Sequence, residues 1–160
     1  MAYTTIKKPT DYFNTKLYSG DGGTQSVTGV GFQPDFSWLK CRTTAYHHRL
    51  FNAVSGAGKN LISDNTNALQ TIDEGITAFN ADGFSVKQGS SLEYNASGQT
   101  YVSWNWKANG AGSLNEVGSI DSTVSVNTTS GFSICKWSGS GANATIGHGL
   151  GAIPKMIITK

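Results

Sequence analysis

The chain has 160 residues, 20 of them glycine, with 14% charged residues and a net charge of +2. That length allows one domain with a modest core. The charge is too small to imply nucleic acid or an anionic membrane as partner, and no apolar stretch approaches the roughly 18 residues of a membrane helix.

Residues 1–11 read as an N-terminal arm. Pro9 lacks the N–H that a sheet ladder needs, and Thr10-Asp11 suits a turn. Arms of this kind become ordered when a partner holds them. A first strand is predicted over 12–18, followed by a turn at Gly20-Asp21-Gly22-Gly23, whose glycines can take positive φ. Strands over 25–30 and 36–42 follow, separated by Gln33-Pro34-Asp35. In 36–42, Phe36 and Trp38 point one way and Leu39 and Cys41 the other, the pattern of an inner strand covered on both sides.

Further strands are predicted over 50–54, 60–62, 76–79, 84–87 and 101–107. Residues 64–74 form a loop, and turns fall at Asn80-Ala81-Asp82-Gly83 and Asn95-Ala96-Ser97-Gly98. Short strands with frequent turns predict an all-β domain, a β-sandwich or jelly roll, over 12–108. Residues 109–130 read as a Gly/Ser/Thr-rich linker, with Thr123-Val124-Ser125-Val126 as an edge strand.

The chain then repeats itself. Residues 13–40 align with 132–160, so that Tyr18-Ser19-Gly20 faces Trp137-Ser138-Gly139 and Val27 faces Ile146. After a one-residue slip Pro34 faces Pro154 and Lys40 faces Lys160. Self-similarity at a fixed offset marks a repeated structural unit. Residues 131–160 are therefore expected to be the opening strands of a second similar repeat, one that is truncated. Its open strand edges are expected to be covered, by the first domain or by a neighbouring subunit.

Few residues suggest chemistry. Gly56-Ala57-Gly58-Lys59 resembles a phosphate loop, but Ala53 and Asn60 occupy positions where that motif needs Gly and Ser/Thr, so a tight turn is expected. Cys41, His47, His48, Cys135 and His148 lack metal-ligand spacing, and no metal or cofactor is assigned. The two cysteines are expected to be reduced thiols of a protein made in a cytoplasm, since Met1 to Pro9 lacks a signal peptide's apolar core. The ten carboxylates lie mostly in turns, where nothing raises a pKa for acid catalysis. Asn95, Asn127 and Asn143 head glycosylation sequons that chance explains in so Asn-rich a chain.

Tyr101-Val102-Ser103-Trp104-Asn105-Trp106-Lys107 is the strongest local feature. Trp104 and Trp106 share a face with Val102, and Tyr101, Ser103 and Asn105 share the other. Their size and alternation predict that the tryptophans anchor the sandwich core. The functional alternative is an aromatic platform for sugar rings, with Trp104, Trp106, Trp137 and Asn105 as the candidate contacts.

Taken in order, Tyr18 to Lys40, His48 to Leu61, Asp82 to Val86 and Asn95 to Lys107 resemble a repeat domain of virion structural proteins from tailed bacteriophages of the marine type. The stretch 131–158 looks like a sister repeat. The resemblance covers nearly the whole chain and implies a jelly-roll or concanavalin-like β-sandwich without catalytic residues. It implies a non-enzymatic virion component made in the bacterial host cytoplasm: a tail-fibre, tail-associated or capsid-decorating protein. The expected partners are other virion proteins, met through the N-terminal arm and sheet edges, and further copies of the chain, trimers being frequent among phage fibres. Two alternatives are a module that binds host surface glycan and a glycan-degrading enzyme. The enzyme would require a carboxylate pair roughly 5–9.5 Å apart in a cleft.

Overall fold

A computed structural model describes residues 6–160. Twelve strands follow one another: β1 Phe13–Ser19, β2 Thr24–Thr28, β3 Phe36–Cys41, β4 Arg49–Asn52, β5 Lys59–Ile62, β6 Gln70–Thr71, β7 Gly75–Asn80, β8 Gly83–Lys87, β9 Thr100–Trp106, β10 Ser113–Asn115, β11 Ser122–Asn127 and β12 Phe132–Trp137. The other regular element among the described residues is a single 3-10 turn, Pro9–Asp11. It falls within the expected arm, whose residues 1–5 lie outside the described part.

The strands form three antiparallel sheets, in the orders β1-β9-β3-β4-β5-β6, β2-β8-β7 and β10-β11-β12. The fold is all-β, as the turn spacing predicts. The first two sheets pack face to face as a sandwich. Leu39 and Phe51 come from the six-stranded sheet, and Val27, Ile76, Phe84 and Val86 from the three-stranded one. Tyr94, on the loop before β9, closes their cluster. Burying a side chain of this size contributes roughly 1.5–3 kcal/mol, so this cluster dominates the stability of the first unit.

The β7–β8 turn shows why its glycine is needed. Gly83 has φ 133°, and a Cβ there would lie 2.0 Å from the Val27 carbonyl oxygen. Asp82 beside it accepts the N–H groups of Gly31 (2.6 Å) and Gly29 (2.9 Å), tying the end of β2 to the turn. Those two donors hold its carboxyl below the usual range.

The stretch expected as a linker, 109–130, carries β10 and β11 instead. β11 is the middle strand of its sheet, not an edge. Composition misleads here, because alternation outweighs it. Ser122 and Val124 are buried on one face and Ser125 on the other, where its Oγ accepts the Asn109 N–H at 2.8 Å. A serine whose hydroxyl is bonded can sit inside a strand as readily as a valine. Residues 64–74, expected as a loop, also include the two-residue β6.

The two aligned segments, 13–40 and 132–160, fold differently. β12 falls at the place of β1 in the alignment. The counterpart of β2 shrinks to an isolated bridge between Ile146 and Gly118. Residues 155–160, the counterpart of β3, form no strand.

Candidate functional site

β9 lies between β1 and β3, and its register sorts the predicted site residues. Phe13, Trp106 and Phe36 stand in one cross-strand row, and Trp104 and Trp38 in the next. These side chains occupy the outer face. The inner face, shared with Leu39, holds Tyr101, Ser103 and Asn105, all fully buried.

The tryptophans therefore do not anchor the sandwich core. Alternation shows which residues share a face, but it cannot show which face is inside. The inner layer accepts polar groups because they satisfy one another. Ser37 Oγ donates to Asn105 Oδ1 at 2.9 Å, and Asn105 Nδ2 donates to Ser103 Oγ at 2.9 Å and to the Asn14 carbonyl at 3.2 Å. Asn105 consequently has no surface to offer a sugar, and its place among the candidate contacts is corrected: it is an interior residue.

The outer aromatic face is the ground on which the β10–β12 sheet docks. Phe132 of β12 stacks on Trp106 at 6.1 Å and lies 6.2 Å from Phe36. Phe13 approaches Trp106 from the other side at 4.8 Å. Trp106 is thus half-buried in the contact between two sheets. Trp104 is half-buried and meets Trp38 edge-on at 6.3 Å, while Trp38 Nε1 donates to His48 Nδ1 at 2.8 Å. Trp137 stands apart at the end of β12, 43% exposed. The four candidates do not converge on one site.

A buried ionic cluster escaped the sequence reading. Arg49 on β4 pairs with Glu93, each only 8% exposed. Its guanidinium also donates to Asn60 Oδ1 at 2.9 Å and lies over the Tyr94 ring at 5.4 Å. Asn60 Nδ2, fully enclosed, has no acceptor among the described residues. Arg49 lies in the segment His48 to Leu61, but Glu93, 44 residues on, lies in none of the resembling segments, so no sequence signal joins the two. Asp35 is also buried, accepting from Ala108 N at 2.7 Å and from Gln33 Nε2 at 3.0 Å. Both interior carboxylates serve to hold chain segments together.

Beside this cluster, Tyr18 stacks on Tyr101 at 5.1 Å and donates to the Tyr94 carbonyl at 2.7 Å. Burial, reinforced by the neighbouring Tyr101 phenol, pushes the Tyr18 hydroxyl well above its ordinary pKa. Burial also raises Tyr101 to about 12, against the opposing N–H of Ala96.

The other motifs resolve as structure. Gly56 and Gly58 take φ 94° and 71° in a tight turn that leads into a strand, not a helix. Asn95 is fully buried, its amide bonded to Asp21, Gly23 and Gln25, so its sequon is closed in the folded chain. Cys41 and Cys135 are free thiols, and among the described residues no group of three His, Cys, Asp or Glu could hold a metal ion.

No curated protein and no solved structure matches the chain. A family model does, over residues 8–160: the chain belongs to the family described as a domain of unknown function, DUF7483.

Proposed function

We propose that this protein is a non-enzymatic structural component of a bacteriophage virion, a tail-fibre, tail-associated or capsid-decorating protein that assembles through its N-terminal arm and its sheet edges. The ordered series of segments resembling phage virion repeats supports this reading. The observation that carries it is the apolar segment near the C-terminus. Ile153, Met156, Ile157 and Ile158 are 63–83% exposed. A contiguous apolar run left open to water marks an interaction surface or an aggregation hazard. Among the described residues no strand pairs with the outer edges of β1 and β12, and open edges are templates for added strands. Its partners are then other virion proteins and further copies of itself, and its place is the particle, after synthesis in the host cytoplasm. Gold-labelled antibody against the protein, viewed on purified particles, tests this and separates head from tail. Particles that carry no label and no trace of the chain by mass spectrometry overturn it.

The glycan-binding alternative draws support from Trp137, exposed on the same face of its sheet as Asn115 two strands away. An exposed indole with an amide on the same sheet face suits the apolar face and hydroxyl rim of a sugar. A glycan array probed with the wild-type chain and with Trp137→Ala tests it, and silence of the wild-type array eliminates it.

A further inference from the structure

We propose that Asn109-Gly110 is a site of spontaneous covalent modification in the folded protein. The Asn109 carboxamide closes onto the Gly110 nitrogen, and water opens the ring to a mixture of aspartate and isoaspartate. This is independent of the virion reading.

Of the chain's asparagines, Asn109 alone precedes a glycine. Without a Cβ beside it, a glycine nitrogen is the least screened main-chain nucleophile. The structure leaves both reacting groups open. Asn109 is exposed, and a Cβ on Gly110 would meet nothing within 4 Å. Among the described residues neither the Asn109 carboxamide nor the Gly110 N–H is hydrogen-bonded. The main chain just before them is fixed: Ala108 N–H donates to Asp35 at 2.7 Å and Asn109 N–H to Ser125 Oγ at 2.8 Å. An anchored Asn109 thus precedes a glycine with room to turn.

Two aspartates also precede glycine, and the fold clamps both. Asp21 Oδ1 accepts Gly23 N–H at 2.8 Å and Asn95 Nδ2 at 2.6 Å, while Gly22 N–H donates to the Asn95 carbonyl at 2.8 Å. Asp82 accepts the N–H groups of Gly29 and Gly31, and Gly83 is paired with Thr28 in the β2–β8 ladder. A carboxylate held by two donors is not free to turn onto the next nitrogen.

The chemistry needs only water. The Gly110 nitrogen attacks Asn109 Cγ, the N–Cγ bond forms and the Cγ–Nδ2 bond breaks. Nδ2 leaves as ammonia, carrying the proton that Gly110 gives up. Water then adds to one of the two ring carbonyls. Addition at Cγ breaks the new N–Cγ bond and yields aspartate. Addition at the main-chain carbonyl breaks the original peptide bond and yields isoaspartate, with the chain now running through Cγ. Either product carries a carboxylate, so the net charge of +2 falls by one. Isoaspartate also adds a carbon to the main chain in the passage from β9 to β10, directly after the N–H that Ser125 holds.

The test incubates the full chain and Asn109→Gln in one mildly alkaline buffer, folded and in guanidinium chloride. Glutamine would have to close a larger, slower ring. Isoelectric focusing reads the charge, and peptide mapping by mass spectrometry reads the site. Folded wild type is expected to convert at Asn109 within about tenfold of the unfolded rate, because an open loop needs little free energy to reach the reacting geometry. Asp21 and Asp82 isomerise in denaturant alone. Asn109→Gln keeps its charge over the same period. A reaction that waited for global unfolding would run about 10³-fold or more slower in the folded chain, and a rate suppressed that far overturns the proposal. So does a folded chain modified as fast at another residue, or an Asn109→Gln variant that loses charge at the wild-type rate. The measurement concerns the isolated chain, so its result and the fate of the virion reading are separate.

Discussion

Phe132 of β12 stacks on Trp106 of β9 with the rings 23° from parallel, so the β10–β12 sheet meets the six-stranded sheet through an aromatic pair. Phe36 completes the contact on one side and Phe13 on the other. Aromatic pairs of this kind contribute about 0.5–1.5 kcal/mol beyond the area they bury. Phe132→Ala should therefore lower unfolding stability by about 1–3 kcal/mol and shift tryptophan emission to the red as Trp106 meets water. Urea titration followed by fluorescence reads both. An unshifted midpoint and spectrum would show that the sheets do not depend on this pair.

The Arg49–Glu93 pair makes an asymmetric prediction. Truncating one partner strands a buried charge, which costs about 3–5 kcal/mol. Glu93→Leu or Arg49→Met alone should each lose about that much. The double variant should lose markedly less than the sum, because the two charges leave together. Chemical denaturation of the four proteins closes the cycle, and simple additivity would contradict the coupling drawn from the geometry.

The stacked tyrosines set an alkaline limit. Their folded pKa values are raised, so the stability they contribute is complete below the ordinary tyrosine pKa of about 10. It is lost as pH rises through the folded values. Thermal midpoints should hold level to about pH 10 and then fall. Tyr18→Phe should soften that fall while costing about 1 kcal/mol at neutral pH, through the lost bond to the Tyr94 carbonyl. A Tyr18→Phe curve that drops as steeply as wild type would refute the assignment.

Two glycines separate steric from conformational cost. Gly98 has φ 79° with open space around its missing Cβ, so Gly98→Ala meets only the conformational penalty, about 1 kcal/mol. Gly83→Ala adds a collision with the Val27 carbonyl and should cost well above that, about 3 kcal/mol or more. Equal midpoints for the two variants would show that the β2–β8 contact yields.

Much of this molecule is legible in the chain itself. Alternation and turn residues locate eight of the nine strands β1–β9 to within a residue or two, missing only the two-residue β6, and the sequence alignment sets β12 against β1. Turn chemistry and period-two patterning are local, so sequence records them directly. The inner face of β9 is not local information. Tyr101, Ser103 and Asn105 win the interior over two tryptophans because Ser37 and Asn14, on strands distant in sequence, satisfy Asn105. The same holds for Arg49 and Glu93, brought together by a loop no motif marks, and for β11, whose serines read as linker until Asn109 is seen bonding one of them. What sequence by itself determined is the all-β character and the positions of most strands between residues 13 and 106. The choice of inside face, the buried charges and the docking of Phe132 on Trp106 were decided by tertiary structure. A polar group's cost of burial depends on partners that only the folded chain brings within reach.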